Sequence, residues 1–204
     1  MTNIWLTSDT HFCHNKDFIY GVRNFANATE MSEAIVENWN KVVKPNDTVY
    51  LLGDVMLKDN ENGVKYFNQL NGDIFIVWGN HDTEARQEYM REHCKFKGDV
   101  YAMRVRVGDI CLYLSHYPTL TANYDDKHFN RHIINVHGHT HQHDNWLDKT
   151  NPFMYHGGLD SHNCTPVNVD EVITDIRNRW NEMGTNVPVI DFTNGYTLPQ
   201  GVIL

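Results

Sequence analysis

The sequence predicts an α/β fold built on a mixed sheet, and three observations carry that prediction. Short runs of apolar, β-branched and aromatic residues alternate with helical patterns over the first half of the chain. A hairpin signal stands in the second half, at Val100–Val107, Gly108-Asp109 and Ile110–Leu114. Alternating units together with an antiparallel hairpin give a mixed sheet. Five of the strands end in the same kinds of polar residue, and ligands gather at strand carboxyl ends in such folds.

The elements follow in order. Asn3 to Ser8 reads as a first strand, ending in Asp9-Thr10-His11, with a loop to about Asn27. Met31, Ile35, Trp39 and Val42/Val43 recur at helical spacing, so a helix is expected over Glu30–Val43, capped by Thr29 or Ser32. Lys44-Pro45-Asn46-Asp47 is a stop, and Val49–Leu52 a buried strand running into Gly53-Asp54. Val64, Phe67 and Leu70 predict a short helix over Gly63–Leu70. Asp73–Trp78 is a strongly apolar strand ending in Gly79-Asn80-His81-Asp82, and Thr83–His93 reads as a polar helix. The second hairpin strand ends in Ser115-His116. Ile133–Val136 is a strand ending in His137-Gly138-His139-Thr140-His141, and Phe153–His156 is another. A capping-box-like start at Asn168 opens a helix to Met183, with Gly184 as its stop. The expected organisation is one domain over residues 1–184 and an extended C-terminal arm, 185–204, packing on it.

Composition excludes several classes. The 17 basic and 26 acidic residues give a formal charge of −9, against a general nucleic-acid or anionic-membrane surface. No apolar run approaches the ~20 residues that span a bilayer. The first residues carry neither a basic segment nor a long apolar one, so a cytoplasmic location is expected. The four cysteines are widely spaced with no CxxC pair, which disfavours a structural zinc or redox motif. The thirteen histidines stand out, because imidazole is both the commonest metal ligand and the usual acid/base near neutral pH.

The five endings are Asp9-x-His11, Gly53-Asp54, Gly79-Asn80-His81-Asp82, His116 and Gly138-His139-x-His141. Carboxylate, imidazole and amide oxygen together suit Zn, Mn or Fe. At these blocks the chain resembles the calcineurin-like metallophosphoesterase superfamily, whose D-x-H, G-D, G-N-H-[DE], H and G-H-x-H motifs all occur in order. Asp-Thr-His-Phe-x-His with Gly-His-Thr-His looks like the small phosphoesterases of bacteria and phages.

The resemblance implies a mixed β-sandwich flanked by helices and two divalent ions, with manganese favoured for activity. It implies that Asp9, His11 and His141 hold one ion and Asn80, His116 and His139 the other, with Asp54 bridging. His81 would act as general acid or substrate contact, and Asp82 would orient it. The implied reaction is in-line attack on a phosphoester by a hydroxide held between the ions. The substrate would be a small phosphoester or nucleotide, a phosphodiester in preference to a phosphoprotein. The residues after Asp54, Val55-Met56-Leu57-Lys58, lack the arginine block of the phosphoprotein phosphatases. The rivals are a repair-type DNA nuclease and a binding scaffold that has lost its metals. His14 is read as a substrate contact in preference to a loop brace. Arg23 is equally a phosphate ligand, its guanidinium fork matching phosphate oxygens, or a surface residue.

Overall fold

The computed structural model describes residues 2–123 and 126–184; the arm expected over 185–204 lies outside them. Strand β1 (Ile4–Thr7) leads through a single turn, α1 (Asp17–Tyr20), to helix α2 (Ala28–Val42). Then come β2 (Thr48–Leu51), α3 (Asn60–Phe67), β3 (Asp73–Val77) and α4 (Glu84–His93). Strands β4 (Gly98–Val100), β5 (Ala102–Val107), β6 (Ile110–Ser115), β7 (Ile133–His137) and β8 (Met154–His156) follow. Strand β9 (Val167–Asn168) and helix α5 (Val169–Met183) complete the described elements.

Two mixed sheets result. One has the order β4-β3-β2-β1-β9 and the other β5-β6-β7-β8. In the first, β1 to β4 are parallel and β9 runs antiparallel to β1. In the second, β5 and β6 form the expected hairpin, while β6, β7 and β8 are parallel. Successive side chains leave a strand on opposite faces. Val49, Leu51, Ile74 and Ile76 therefore pack on one side against Met31, Ile35 and Trp39 of α2, Phe67 of α3 and Met90 of α4. Leu6, Leu52 and Val77 share a second core with Leu112 and Leu114 of β6, Ile134 and Val136 of β7, and Val172 and Ile176 of α5. Each large apolar side chain so buried contributes about 1.5–3 kcal/mol. The second core, shared by both sheets, fixes them relative to each other, and so fixes the loops at their strand ends.

Some boundaries differ from the sequence reading. The cap of α2 is Asn27, whose Oδ1 accepts the Glu30 N–H at 2.9 Å, not Thr29 or Ser32. Helix α3 begins three residues early because Asp59 takes the Asn62 N–H at 3.0 Å. Val100–Val107 is not one strand: β4 pairs with β3, and β5, beyond Tyr101, with β6 of the other sheet. Apolar alternation continues through such a change of sheet and cannot report it. The one-turn α1 and the two-residue β9 are too short for any periodicity.

Candidate metal centre

The carboxyl ends of β1, β2, β3, β6 and β7 carry the five sequence blocks to one place. Backbone bonds join the loops: Asp9 N–H donates to the Gly53 carbonyl (2.9 Å) and His11 N–H to that of Asp54 (3.0 Å). His139 N–H donates to Asp9 Oδ2 at 3.0 Å, tying the second sheet to the first. Asp9, His11, Asp54, His139 and His141 all adopt positive φ, between 45° and 67°. Left-handed backbone outside glycine costs about 1–3 kcal/mol and persists where the surroundings over-determine it, typically at functional sites. Glycine is required where the loops close on the carboxylates. A Cβ at Gly138 would lie 2.5 Å from Asp9 Oδ2, and one at Gly79 would overlap Asp54 Oδ1.

Two groups of ligand-type atoms result. Asp9, His11 and His141 form one, and Asp54, His116 and His139 the other, with the atoms of each within 4.8 Å of one another. Asp54 Oδ2 stands between them, 3.7 Å from His11 Nε2 and 3.5 Å from His116 Nε2. Asn80 Oδ1 joins the second group, 2.8 Å from both His116 Nε2 and His139 Nδ1. All seven residues read as metal ligands are thus brought together. Asp9 Oδ1 is buried without a hydrogen-bond partner, 3.7 Å from His11 Nε2 and 3.6 Å from His141 Nε2. A buried, unpartnered carboxylate oxygen facing convergent imidazole nitrogens is the environment a divalent cation satisfies. The two groups are able to bind metals.

Three of the four imidazoles are oriented from behind. His116 Nδ1 donates to the Leu52 carbonyl (2.8 Å), His141 Nδ1 to Asp160 Oδ2 (3.0 Å), and His11 Nδ1 meets His14 Nδ1 (3.2 Å). Such bonds fix the tautomer and leave Nε2 free to ligate. Arg23 holds Asp160 in turn, Nε on Oδ1 at 2.9 Å and Nη2 on Oδ2 at 2.8 Å, and Nη2 also donates to the Asp9 carbonyl at 2.8 Å.

Three expectations change here. Arg23 is neither a surface residue nor a phosphate ligand, because it is 7% exposed, with Nε and Nη2 on Asp160 and the Asp9 carbonyl and Nη1 against Met31 Sδ. His14 is buried against His11, which makes it a brace for that ligand and not a substrate contact. The Asp82 carboxylate does not orient the His81 ring: it accepts the N–H groups of Gly79 (2.8 Å), Asp54 (2.8 Å) and Val55 (3.1 Å), clamping two loops together. His81 itself leans over the site, its side chain 42% exposed and Nε2 4.0 Å from Asp54 Oδ2. Its N–H donates to Asp54 Oδ1 at 2.8 Å, and the Arg86 guanidinium holds its carbonyl. Sequence reasoning missed Asp160, Arg86 and Ser8, whose hydroxyl donates to Asp9 Oδ2. A signal for Asp160 exists: β8 runs into Gly157-Gly158-Leu159-Asp160, the same strand–glycine–aspartate order as at Asp54.

Electrostatics follow from burial and neighbours. Burial would raise the Asp9 carboxyl, but His11, His141 and His116 hold it far below the ordinary range. Asp160 is likewise held low against its burial, by Arg23 and His141. Burial lowers His11 and His139, which favours the neutral, ligating form. His141 is also disfavoured as a cation by burial, yet Asp160 and Asp9 raise it overall.

Behind the site, burial pushes His156 down to about 3 and lowers its strand partner His137 and also His162. These folded values lie below the unfolded one, so their stability is present above about pH 6.5 and is lost as pH falls. His141, raised, works in the opposite sense but stands against these three and against His11, His14 and His139, which burial also lowers. Chelator-treated protein should therefore melt at a lower temperature at pH 5 than at pH 7.5, and His156→Gln should flatten that dependence. Melting that does not change over this range contradicts the assignment.

The whole five-strand arrangement lies within the region matched by the family model for the calcineurin-like phosphoesterase superfamily domain, residues 2–172. The chain belongs to this superfamily. Among its relatives, an uncharacterised protein of Methanocaldococcus jannaschii is 38% identical over 99 residues, 48% of this chain and 56% of that protein. The chain therefore spans little more than half the length of this archaeal relative. The Gene 66 protein of Mycobacterium phage D29 is 28% identical over 201 residues, covering 86% of this chain and 98% of the phage protein. The solved structure of a protein of unknown function from Aquifex aeolicus has the same fold, with a TM-score of 0.66. It is 24% identical and covers 85% of this chain and 99% of its own. Two packed mixed sheets flanked by helices are thus the superfamily's fold. Among the described residues no helix is long and apolar enough to cross a membrane.

Proposed function

We propose that this phosphoesterase hydrolyses a small-molecule or nucleotide phosphoester, with diesters favoured, at a centre of two divalent ions. The observation that carries the reading is Asp54 Oδ2 standing between the two groups, 3.7 Å from His11 Nε2 and 3.5 Å from His116 Nε2. Asp9, His11 and His141 would hold one ion, and Asn80, His116 and His139 the other, with Asp54 common to both. Oxygen and imidazole donors suit Mn, Zn or Fe, and manganese is favoured for activity. When bound, two such ions polarise phosphoryl oxygens and make water a nucleophile near neutral pH.

The chain's own residues do the rest. Asp9 and Asp54 supply the negative charge that keeps two cations together, and the bonds behind the imidazoles hold the donor atoms still. His81, open to solvent above Asp54, is placed to give its proton to the departing alkoxide oxygen. Asp82 and Arg86 fix the loop that carries it. Manganese-loaded protein is expected to cleave bis-p-nitrophenyl phosphate, and His81→Ala to lower kcat by about 10²-fold or more. A folded, fully metallated protein inert towards diesters and monoesters alike would sink the reading.

A further inference from the structure

Tyr117 is 51% exposed, yet its ring lies against both imidazoles of the second group, with centroids 5.2 Å from His116 and 4.8 Å from His139. The exposure is built. The Tyr117 carbonyl accepts the Ser115 hydroxyl (2.8 Å) and the Thr119 hydroxyl (3.1 Å). Asn135, fully buried on β7, takes the Thr119 N–H on Oδ1 at 2.8 Å and donates Nδ2 to Ser115 Oγ at 2.8 Å and to the Tyr113 carbonyl at 3.0 Å. A fully satisfied buried amide thus pins both ends of a tight turn, and the ring at its tip remains in solvent. Tyr117 belongs to neither hydrophobic core, and its phenol has no partner among the described residues. On the side of the first group, Phe18 is 62% exposed and stands edge-on to His14, which backs His11.

An uncharged aromatic face adds nothing to the binding of a phosphate; it suits the group esterified to it. We propose that Tyr117 is a specificity residue that receives the planar base of a nucleotide substrate, with Phe18 as the opposite wall. The inference rests on the phosphoesterase reading and names the chemical class that reading leaves open. A π-face accepts any base by stacking, and one base on one ring changes affinity by about tenfold.

The test compares adenosine 5′-monophosphate with ribose 5-phosphate as ligands of the manganese-loaded protein, by calorimetry. The two share phosphate and sugar and differ in the base. With Tyr117 intact, the protein should bind the nucleotide about tenfold more tightly. Tyr117→Ala should remove that difference without weakening ribose 5-phosphate, and Tyr117→Phe, which keeps the ring, should retain it. Equal affinities with Tyr117 intact, or a Tyr117→Ala protein that still prefers the nucleotide, would overturn the proposal. So would equal weakening of both ligands, which marks a general disturbance of the site. Both ligands are monoesters, so the titrations are run in the slow His81→Ala background, where binding is read without turnover and failed ester hydrolysis by wild type would count against the phosphoesterase reading and not against this one.

Discussion

Asp54→Asn should leave a folded protein whose phosphodiester hydrolysis is slower by about a thousandfold. The substitution keeps the shape of the side chain and its Oδ1, which accepts the His81 N–H. It replaces Oδ2 with an amide nitrogen at the point that faces His11 and His116 together. An amide NH₂ donates, carries no negative charge and cannot ligate a cation. Both groups then lose their common donor, and two cations close together lose the charge that offsets their repulsion. Loss of a residue that merely supports a ligand costs about 10–100-fold, so loss of a shared ligand should exceed that. Steady-state rates with bis-p-nitrophenyl phosphate, on protein whose fold is verified by circular dichroism, measure the effect. A loss below about tenfold is incompatible with a bridging carboxylate.

The second large effect belongs to Asp160, whose carboxylate serves two partners at once. Its Oδ2 accepts from His141 Nδ1, and both oxygens hold the buried Arg23 guanidinium. Asp160→Asn should weaken metal binding at the Asp9–His11–His141 group by about 10–100-fold. It should also destabilise the fold by about 3–5 kcal/mol, because a buried guanidinium is left without its counter-charge. The two effects separate in the double variant Arg23→Met with Asp160→Asn. Removing the orphaned cation should restore much of the stability, while His141 remains unsupported and the affinity stays low. Denaturant melts and metal titration against a competing chelator read the two quantities. Recovery of both together would mean that Asp160 matters only for folding.

The candidate centre was largely legible in the sequence because each ligand lies next to a strand end. An apolar run followed by glycine and a polar residue is a local signal, and Gly53-Asp54 and Gly138-His139 show it plainly. The strand order was not legible: β4 and β5 are one continuous run in sequence and edges of two different sheets in space. Nor were the supporting contacts. Arg23 and Asp160 are 137 residues apart, and nothing local marks an arginine as buried. Asp82 stands beside His81, which invites a role for it on that ring, yet its carboxylate reaches back to the loop after β2. Backbone geometry was equally hidden. Aspartate and histidine are enriched at positive φ, but residue type alone does not mark which of them adopt it, as five ligand residues do here.

The most direct test is the number of divalent ions each chain holds at saturation. Purified protein dialysed to equilibrium against manganese and analysed by mass spectrometry for metal per polypeptide should carry two ions, and the Asp54→Asn variant fewer. One ion or none in folded wild-type protein would contradict the two-metal account.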